Sequence, residues 1–366
     1  MKAYSKEELC LIWLDSFIGL EYKHKIKLYQ TIRSSSSIKN LLEENKEFLI
    51  SSIGDGKYAN LLSSANGEYL KFITDNLEKK GITCVTLYSS DYPERLKELS
   101  YPPLVIYAKG DLSLMESDDL FAIVGSRRSL PLSLKLAKSY AEELSDVGFV
   151  PVTGIADGVE AEVLKTAVIN KTRAISVIAG GFDNVYPKVN VTLLEDVIKC
   201  GGLAISEYPP QTVSMPFHFP VRNRIIAALS KGVLVVSGGL KSGTAYTAEY
   251  ATELSKEVFA IPYSVGVQSG AGCNELIKKG GILTDSPQDI IAFYGKEKKK
   301  ITVELTDEER EIVKALSDGE LHVEKLASVL NKEVFLLTPT LSILEIKGMV
   351  VRSGNVFGLA RNDLEV

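Results

Sequence analysis

Cysteine and histidine are scarce in this sequence of 366 residues, which has four cysteines and three histidines. The cysteines are Cys10, Cys84, Cys200 and Cys273. Because they are far apart and form no CxxC pair, they suggest neither a zinc site nor a disulfide framework. The histidines are His24, His218 and His322. They fall in three different predicted modules, so a Ser/His/Asp triad or a metal site lacks its partners, and we expect no catalytic residues, no metal and no cofactor.

Long apolar runs are also absent. Runs such as Phe121–Val124 and Val233–Val236 have the size of strands, whereas a membrane helix needs about 20 apolar residues. The first ten residues, MKAYSKEELC, contain acidic residues where a signal peptide needs a basic start and an apolar core. We therefore expect a cytoplasmic protein that makes no contact with a membrane.

The sequence also lacks an excess of positive charge, since its formal net charge is −5. Proteins that bind nucleic acid over their whole surface are usually basic, so any such site here must be a local basic pocket. The hydrophobic share of 45% and the charged share of 24% are ordinary for a globular protein with a sizeable core. The length is sufficient for two or three domains.

The first 75 residues predict a small all-helical domain, similar to SAM or helix-hairpin-helix domains. Apolar residues recur at helical spacing in three segments, Lys6–Phe17, Tyr22–Ile32 and Ile38–Phe48. Two strand-like segments follow, Ile82–Leu87 and Leu104–Ala108. They lead into a region of different character.

Between residues 119 and 293, short apolar runs alternate with amphipathic segments. The predicted strands are Phe121–Gly125, Phe149–Thr153, Ala174–Ala179, Leu203–Ser206, Val233–Ser237 and Val258–Pro262. Continuous apolar strands separated by helices predict a parallel sheet that is covered on both faces. We therefore expect residues 76–294 to form an α/β domain with a Rossmann-like, doubly wound, mainly parallel sheet. Ligands of such sheets bind at the carboxyl ends of the strands.

The last part of the chain predicts a separate winged-helix domain over residues 305–366, after a linker over residues 295–304 that opens with GKEKKK. Thr306 and Glu309 predict a capping box at the start of its first helix. Two more helices, at about Val323–Leu330 and Val334–Ile346, precede a predicted hairpin at Val350–Gly358. Few basic residues accompany the third helix, which favours a protein-contact or structural role over duplex binding.

One candidate site is the loop Gly125-Ser126-Arg127-Arg128, which joins a predicted strand to a helix. Glycine lets the backbone approach a ligand closely, and arginine can bind phosphate through two hydrogen bonds. A tight turn with solvated arginines explains the pattern equally well.

A second loop carries Lys241, Ser242, Gly243 and Thr244 at the start of a predicted helix. Free N–H groups at a helix start and the charge of Lys241 predict an anion site. The loop lacks the order and spacing of a Walker A motif, and no GxGxxG fingerprint begins at Gly125, which disfavours a bound dinucleotide.

A third loop, after the strand that ends at Ala179, contains Gly180, Gly181, Tyr186 and Pro187. The double glycine suggests close approach of the backbone to a ligand. Tyr186 could stack on a nucleobase, but the pattern favours the interpretation that Tyr186 and Pro187 pack the turn.

The fourth candidate is the segment from Phe217 to Arg224, in which Phe219, Arg222, Asn223 and Arg224 stand at a predicted helix start. Arginine at a helix start opposes the helix dipole, so a functional reason for these arginines is favoured. Cations for phosphate and an aromatic ring for bases are what single-stranded DNA requires.

Several sequence strings occur in the order found in the DprA/Smf family of DNA-processing proteins. They are FAIVGSR (121–127), TGIADG (153–158), GGFDNVYPKVN (180–190), ISEYPP (205–210), FPVRNRIIAALS (219–230), SGTAYTA (242–248), EVFAIPY (257–263) and GCNELIKKGG (272–281). The sequence resembles this family over about residues 85–290. The string FPxRNRIIAxLS is fairly specific, whereas each glycine loop alone is weak.

The resemblance implies a protein that is not an enzyme and that binds single-stranded DNA during natural transformation. Members of the family protect incoming strands, help to load the RecA recombinase and act as homodimers. By position, Arg127, Phe219, Arg222 and Arg224 would line the basic DNA pocket of the family.

Some positions depart from the family pattern. Asp157 stands where the family usually has arginine, Glu162 where it commonly has histidine, and Ser237-Gly238-Gly239 where it usually has an acidic residue. A negative charge at residue 157 would repel phosphate, so binding could be weaker or directed to another ligand.

Two alternatives come from the wider superfamily. One is a phosphoribohydrolase with the signature PGGxGTxxE, which SGGLKSGT partly matches. The glutamate of that signature would fall at residue 247, whereas Glu249 stands two positions further along the chain. The other is a nucleotide-binding module without catalysis, which the missing positive charge at residue 157 keeps open.

Overall fold

The computed structural model describes residues 2–17, 20–32, 35, 37–297, 305–317, 319–347 and 349–359. The chain forms two compact units, residues 1–295 and residues 296–366. The boundary between the units falls at the start of the predicted linker. Residues 298–304 of that linker and residues 360–366 of the predicted C-terminal domain lie outside the described residues. The predicted boundary at residue 75 stays a prediction.

The first unit begins with short helices. They are α1 (Lys6–Ser16), α2 (Tyr22–Thr31), α3 (Ile38–Glu44), α4 (Lys46–Ile53), α5 (Asp55–Ser64) and α6 (Gly67–Lys79). Ser5 and Glu8 form a capping box at the start of α1. The helix predicted over residues 38–48 is two helices, α3 and α4, which meet at Asn45. The side chain of Asn45 donates to the carbonyl of Leu41 over 2.9 Å, and such a local bond competes with continuation of the helix.

Strands and helices alternate in the rest of the first unit. The strands are β1 (Thr83–Thr86), β2 (Val105–Gly110), β3 (Leu120–Val124), β4 (Val150–Thr153), β5 (Ile175–Val177), β6 (Leu203–Ser206), β7 (Gly232–Val235), β8 (Glu257–Ala260) and β9 (Ile282–Leu283). The helices are α7 (Glu94–Lys97), α8 (Pro131–Asp146), α9 (Val159–Ile169), α10 (Val191–Lys199), α11 (His218–Leu229), α12 (Gly243–Glu253), α13 (Ala271–Lys278) and α14 (Pro287–Phe293).

All these strands form one sheet with the order β1-β2-β6-β5-β4-β3-β7-β8-β9. Neighbours from β6 to β9 in that order pair in parallel. The pairs β1–β2 and β2–β6 are antiparallel, so β2 runs against both of its neighbours. The predicted Rossmann-like, mainly parallel fold is confirmed.

Strand β3 shows why the sheet needs helices on both faces. Leu120, Ala122 and Val124 belong to a core cluster that includes α11 and α12, whereas Phe121 and Ile123 belong to a second cluster that includes α8 and α14. Alternate side chains point to opposite faces of a strand, so an all-apolar strand must be buried on both sides.

The connections reverse direction beside β3. The chain moves from β3 through β4 and β5 to β6 on one side, and then returns to place β7 on the other side of β3. The loops that follow β3 and β7 therefore diverge. This is the switch point where open parallel sheets leave a crevice at the carboxyl ends of their strands.

The N-terminal helices share a hydrophobic core with the antiparallel end of the sheet. Trp13 of α1, Cys84 of β1 and Tyr107 of β2 are buried in the same cluster. The hydroxyl of Tyr107 donates to Asp15 Oδ2 over 2.9 Å. The helices are thus part of the packing of the first unit.

The second unit contains three helices and a small sheet in its described residues. The elements are α15 (Asp307–Ala315), β10 (Leu321–His322), α16 (Val323–Leu330), α17 (Val334–Ile346), β11 (Val350–Ser353) and β12 (Val356–Leu359). The predicted helices, the hairpin and the capping box of Thr306 and Glu309 are confirmed, and the name winged helix stays a prediction. None of the helices in the described ranges has both the length and the apolar character that crossing a bilayer requires.

Candidate functional site

A cavity of about 430 Å³ occupies the crevice at the switch point. It is lined by the loop after β3, the first turns of α11 and the start of α12. Ten of the predicted site residues line it: Gly125, Ser126, Arg127, Arg128, Phe219, Arg222, Asn223, Ser242, Gly243 and Thr244. The structure thus brings together three of the four predicted segments.

Two glycines allow the loop after β3 to pack against α9. A Cβ atom on Gly125 would lie 2.5 Å from Val159 Cγ2. Gly158 has a φ of +80°, and a Cβ atom there would lie 2.3 Å from the carbonyl oxygen of Ser126. A larger residue at either position would displace the loop that carries the arginines.

Hydrogen bonds connect the loop after β3 to the end of β7. The amide of Ser126 donates to the hydroxyl of Ser237 over 3.2 Å, and the amide of Arg128 donates to the hydroxyl of Ser126 over 3.2 Å. Ser237 is completely buried and was not among the predicted site residues. The sequence signal for Ser237 is its position as a polar residue at the end of an apolar strand. A buried hydroxyl at such a position needs a hydrogen-bond partner.

Arg127 and Arg128 are exposed at the mouth of the cavity. The guanidinium carbon of Arg127 lies 4.3 Å from the centroid of the Phe219 ring, which is a cation–π contact. Within the described ranges, neither arginine forms a salt bridge. Both side chains can therefore meet an anion without first leaving a carboxylate.

Arg222 borders the cavity but is not free, which corrects the expected role of its side chain. It is 3% exposed, and its Nη2 lies 3.4 Å from each carboxylate oxygen of Glu160. Its Nη1 donates to the carbonyl of Val177. A Cβ atom on residue 154 would lie 1.9 Å from that nitrogen, so Gly154 makes room for the guanidinium. Arg222 therefore links α11 to α9 through Glu160 and to the end of β5 through Val177.

Arg224 is likewise buried, and it lies outside the cavity, so its prediction as a residue of the same pocket is corrected. Its Nη2 donates to the carboxylate of Glu207. Burial raises the pKa of Glu207, and the attraction of Arg224 opposes that shift. A guanidinium in such a pair is not available to a strand of DNA.

Gly180 and Gly181 do not face the cavity, which is a further correction. A Cβ atom on Gly180 would lie 2.3 Å from the hydroxyl of Ser214, and one on Gly181 would lie 2.1 Å from the carbonyl oxygen of Pro210. The close approach that the double glycine predicted is made by the protein's own chain. Its result is a fixed position for the segment that precedes α11.

The start of α12 contributes polar groups to the cavity. Asn223 Nδ2 donates to the carbonyl of Gly243 over 3.0 Å, which links α11 to α12. Ser242 and Thr244 exchange a short hydrogen bond between their hydroxyls. Lys241 is exposed in the same loop but does not line the cavity.

Tyr186 lies beside the cavity although the sequence pattern favoured its packing in a turn. Its ring centroid is 6.2 Å from that of Phe219, and the two planes are at 75°. The residue remains 54% exposed. A packing role thus accounts for only part of its surface.

The departures from the family pattern have structural consequences that differ from expectation. Asp157 is exposed, but its Oδ1 accepts a hydrogen bond from Asn190 over 3.1 Å, and it does not line the cavity. Glu162 is half-buried in the first turn of α9. The repulsion expected from Asp157 therefore acts from outside the cavity.

The structure also bears on the hydrolase alternative. Thr247 lines the cavity, whereas Glu249 faces a different one, between α12 and α13. No group of three or more potential metal ligands occurs among the described residues.

Comparison with known proteins gives a consistent result. Residues 83–295 match the family model of DNA recombination-mediator protein A. The DNA processing protein DprA of Bacillus subtilis is 38% identical over 212 residues, which are 58% of this chain and 71% of that protein. Protein Smf of Escherichia coli is 33% identical over 215 residues, which are 59% of this chain and 57% of that protein.

Two solved structures are similar to the chain. The X-ray structure of DNA processing protein A from Streptococcus pneumoniae has a TM-score of 0.65 and 28% identity, and covers 80% of this chain and 98% of its own. DNA processing protein A from Helicobacter pylori, whose structure gives its single-stranded DNA binding mode, has a TM-score of 0.52 and 30% identity, over 58% of this chain and 95% of its own. Because the family match spans more than half of the sequence, the protein belongs to the DNA recombination-mediator protein A family, as its DprA/Smf motifs predicted.

Proposed function

We propose that this protein binds single-stranded DNA in the cavity between the loops after β3 and β7, and that it acts in the processing of DNA during natural transformation. The related Helicobacter pylori protein binds single-stranded DNA, and the relatives in Bacillus subtilis and Streptococcus pneumoniae are DNA processing proteins. The proposal includes protection of the incoming strand, help in loading RecA, and action as a homodimer.

The observation that carries the proposal is the position of Arg127 over the Phe219 ring, with Arg128 exposed beside it. Three arginines and one glutamate line the cavity, and that glutamate, Glu160, is paired with Arg222. The two exposed guanidinium groups therefore make the cavity positive in a protein whose net charge is −5. Phosphates are attracted to this place and not to the surface as a whole.

The geometry favours a single strand over a duplex. An unpaired base has a free face that can stack on an aromatic ring or on a guanidinium plane, whereas a base in a duplex is already stacked. Phe219 and Arg127 offer a ring and a guanidinium at the mouth of the cavity. We therefore expect tighter binding of single strands than of duplexes with the same sequence.

We propose further that binding occurs without catalysis. Among the described residues, no histidine lines the cavity, and its carboxylate Glu160 is held by Arg222 and by the amide of Ala156 over 2.8 Å. A general acid or base must be free to exchange a proton with the substrate. An assay for release of adenine from AMP should give no turnover above the uncatalysed rate.

The direct test replaces the exposed arginines. In Arg127→Ala/Arg128→Ala, we expect the dissociation constant for a labelled single strand to rise about 10- to 100-fold, since hydrogen bonds to charged groups contribute about 1.5–3 kcal/mol. The slope of log K against log salt should decrease by about 0.7 for each lost phosphate contact. Fluorescence anisotropy at several salt concentrations measures both quantities.

A matched control is Arg173→Ala. Arg173 is also exposed, but it precedes β5 and so lies at the opposite edge of the sheet. Its removal should leave affinity and salt slope unchanged. If the double variant at residues 127 and 128 bound DNA as the wild type does, the proposed site would be wrong.

A further inference from the structure

The ring of Tyr186 is oriented as a binding surface rather than as part of the core. It meets Phe219 at 75° and 6.2 Å between centroids, a T-shaped contact in which the two rings do not cover each other as parallel stacked rings would. The residue is 54% exposed. Among the described contacts, its hydroxyl has no hydrogen-bond partner. A tyrosine kept for packing would instead be buried, with its hydroxyl bonded.

Tyr186 is the third member of a series of contacts that starts in the loop after β3. The guanidinium of Arg127 lies 4.3 Å from the Phe219 centroid, and Phe219 lies 6.2 Å from Tyr186. Tyr186 belongs to the segment after β5, two strands from β3 in the sheet. Lys188 follows, and it is exposed and forms no salt bridge within the described ranges. This series of contacts therefore lies at the carboxyl edge of the sheet, with Arg127 at one end and Lys188 two residues beyond Tyr186 in the sequence.

We propose that Tyr186 is a second base-stacking subsite, which holds a nucleobase next to the one at Phe219 and Arg127, and that Lys188 meets the phosphate beyond it. The inference rests on the proposed function, because it gives the course of the same strand. Nucleotides in a DNA strand follow one another at about 3.4 Å along the helix axis. The 6.2 Å between the two rings is almost twice that spacing, so it corresponds to neighbouring nucleotides in a strand that is unstacked and strongly extended.

The physical reason for a tyrosine at this place is that stacking tolerates any base. Every base has a π face, so a ring adds affinity without sequence preference. The subsite therefore predicts higher affinity for strands long enough to reach from Phe219 to Tyr186, whatever their sequence.

The test compares Tyr186→Ala with the wild-type protein on oligonucleotides of increasing length. Loss of one stacked base should weaken binding of long strands roughly 5- to 150-fold, which corresponds to about 1–3 kcal/mol. The salt slope should stay at the wild-type value because no charge is removed. Tyr186→Phe keeps the ring and should restore affinity. Tyr69→Ala, which removes an exposed tyrosine from α6, is the matched control and should have no effect.

A scan with single abasic nucleotides separates a stacking contact from a general defect. In the wild type, two neighbouring abasic positions should each weaken binding, one for each ring. In Tyr186→Ala, the abasic position that faces residue 186 should no longer weaken binding, whereas the abasic position at Phe219 should still weaken it. If Tyr186→Ala bound long strands as tightly as the wild type while Arg127→Ala did not, the subsite would be wrong and the proposed function would stand. If the wild-type protein bound no single-stranded DNA, both would be wrong.

Discussion

Two pairs of arginines in the first unit have opposite surroundings. Arg127 and Arg128 are exposed in the loop after β3 and have no carboxylate partner within the described residues. Arg222 and Arg224, on α11, are 3% and 6% exposed and are paired with Glu160 and Glu207. The same residue type thus offers a ligand contact in one place and internal structure in the other.

The difference shows that position in a motif does not decide the role of a charged side chain. Helix α11 is covered by neighbours, and nine of its twelve residues are buried. A charge inside such a helix has lost its hydration and must be paired. The arginines of the loop after β3 keep their hydration and can exchange it for phosphate.

The largest expected effect comes from breaking a buried pair. In Arg224→Ala, Glu207 loses its cation in a buried position, and the free energy of unfolding should fall by about 3–5 kcal/mol. Urea unfolding followed by the fluorescence of Trp13 measures this, because Trp13 is the single tryptophan and is 1% exposed in the core of the first unit. The double change Arg224→Met/Glu207→Met should recover most of the loss, since an apolar pair leaves no unpaired charge.

The same variants also test the contrast between the arginine pairs. Folded Arg224→Met/Glu207→Met should bind single-stranded DNA with the wild-type salt slope. If this variant were as stable as the wild type but had a smaller salt slope of DNA binding, Arg224 would contact phosphate. The distinction between the exposed and the buried arginines would then be wrong.

A smaller effect on the free energy of unfolding is expected from a change of pH, through His218 at the start of α11. Burial lowers the pKa of His218, and a backbone hydrogen bond opposes the shift. The unfolded chain therefore binds the proton more readily, so this contribution to stability is full above the ordinary histidine pKa of about 6.5 and is lost as pH falls through the lower folded pKa. Wild-type stability should fall by at most about 1.4 kcal/mol per pH unit from this group.

The measurement is the urea midpoint between pH 7.5 and pH 5 for the wild type and for His218→Gln. The variant should depend less on pH than the wild type over this range. Equal pH dependence of the two proteins would mean that His218 is not the group responsible.

The smallest effect is expected at Asp157. This carboxylate is exposed, lies outside the cavity and is held by Asn190. Charges exposed to solvent are screened over about 8 Å at physiological salt. Asp157→Asn should therefore tighten DNA binding by less than about twofold at 150 mM salt. Anisotropy titration measures it, and a tenfold gain would place Asp157 directly beside the strand.

The strands were predictable from sequence because both faces of the sheet are covered. Leu203–Ser206 was predicted with the observed ends, and the other predicted parallel strands deviate by one or two residues at their ends. An apolar run between glycines and polar residues defines a buried strand almost by itself. The break between α3 and α4 was missed because it depends on a single side chain, Asn45.

The burial of the α11 arginines could not be deduced from their spacing. Their partners, Glu160 and Glu207, are brought close by the fold and stand in other sequence segments. A signal was nevertheless present, since the string IIAAL that follows is apolar on every side of a helix. A helix of that kind is buried, and its charged residues are then expected to be paired.

The mixed core of the first unit makes residue 83 an unsuitable place to cut the chain. The family match begins there, yet Cys84, Val105 and Tyr107 turn toward α1 and its neighbours and are almost fully covered by them. Removing the leading helices would leave these side chains facing water and Tyr107 without the carboxylate that accepts its hydroxyl. A shortened chain would expose an apolar surface at the antiparallel end of the sheet and would tend to self-associate. A fragment intended for DNA-binding work should therefore retain the first eighty residues.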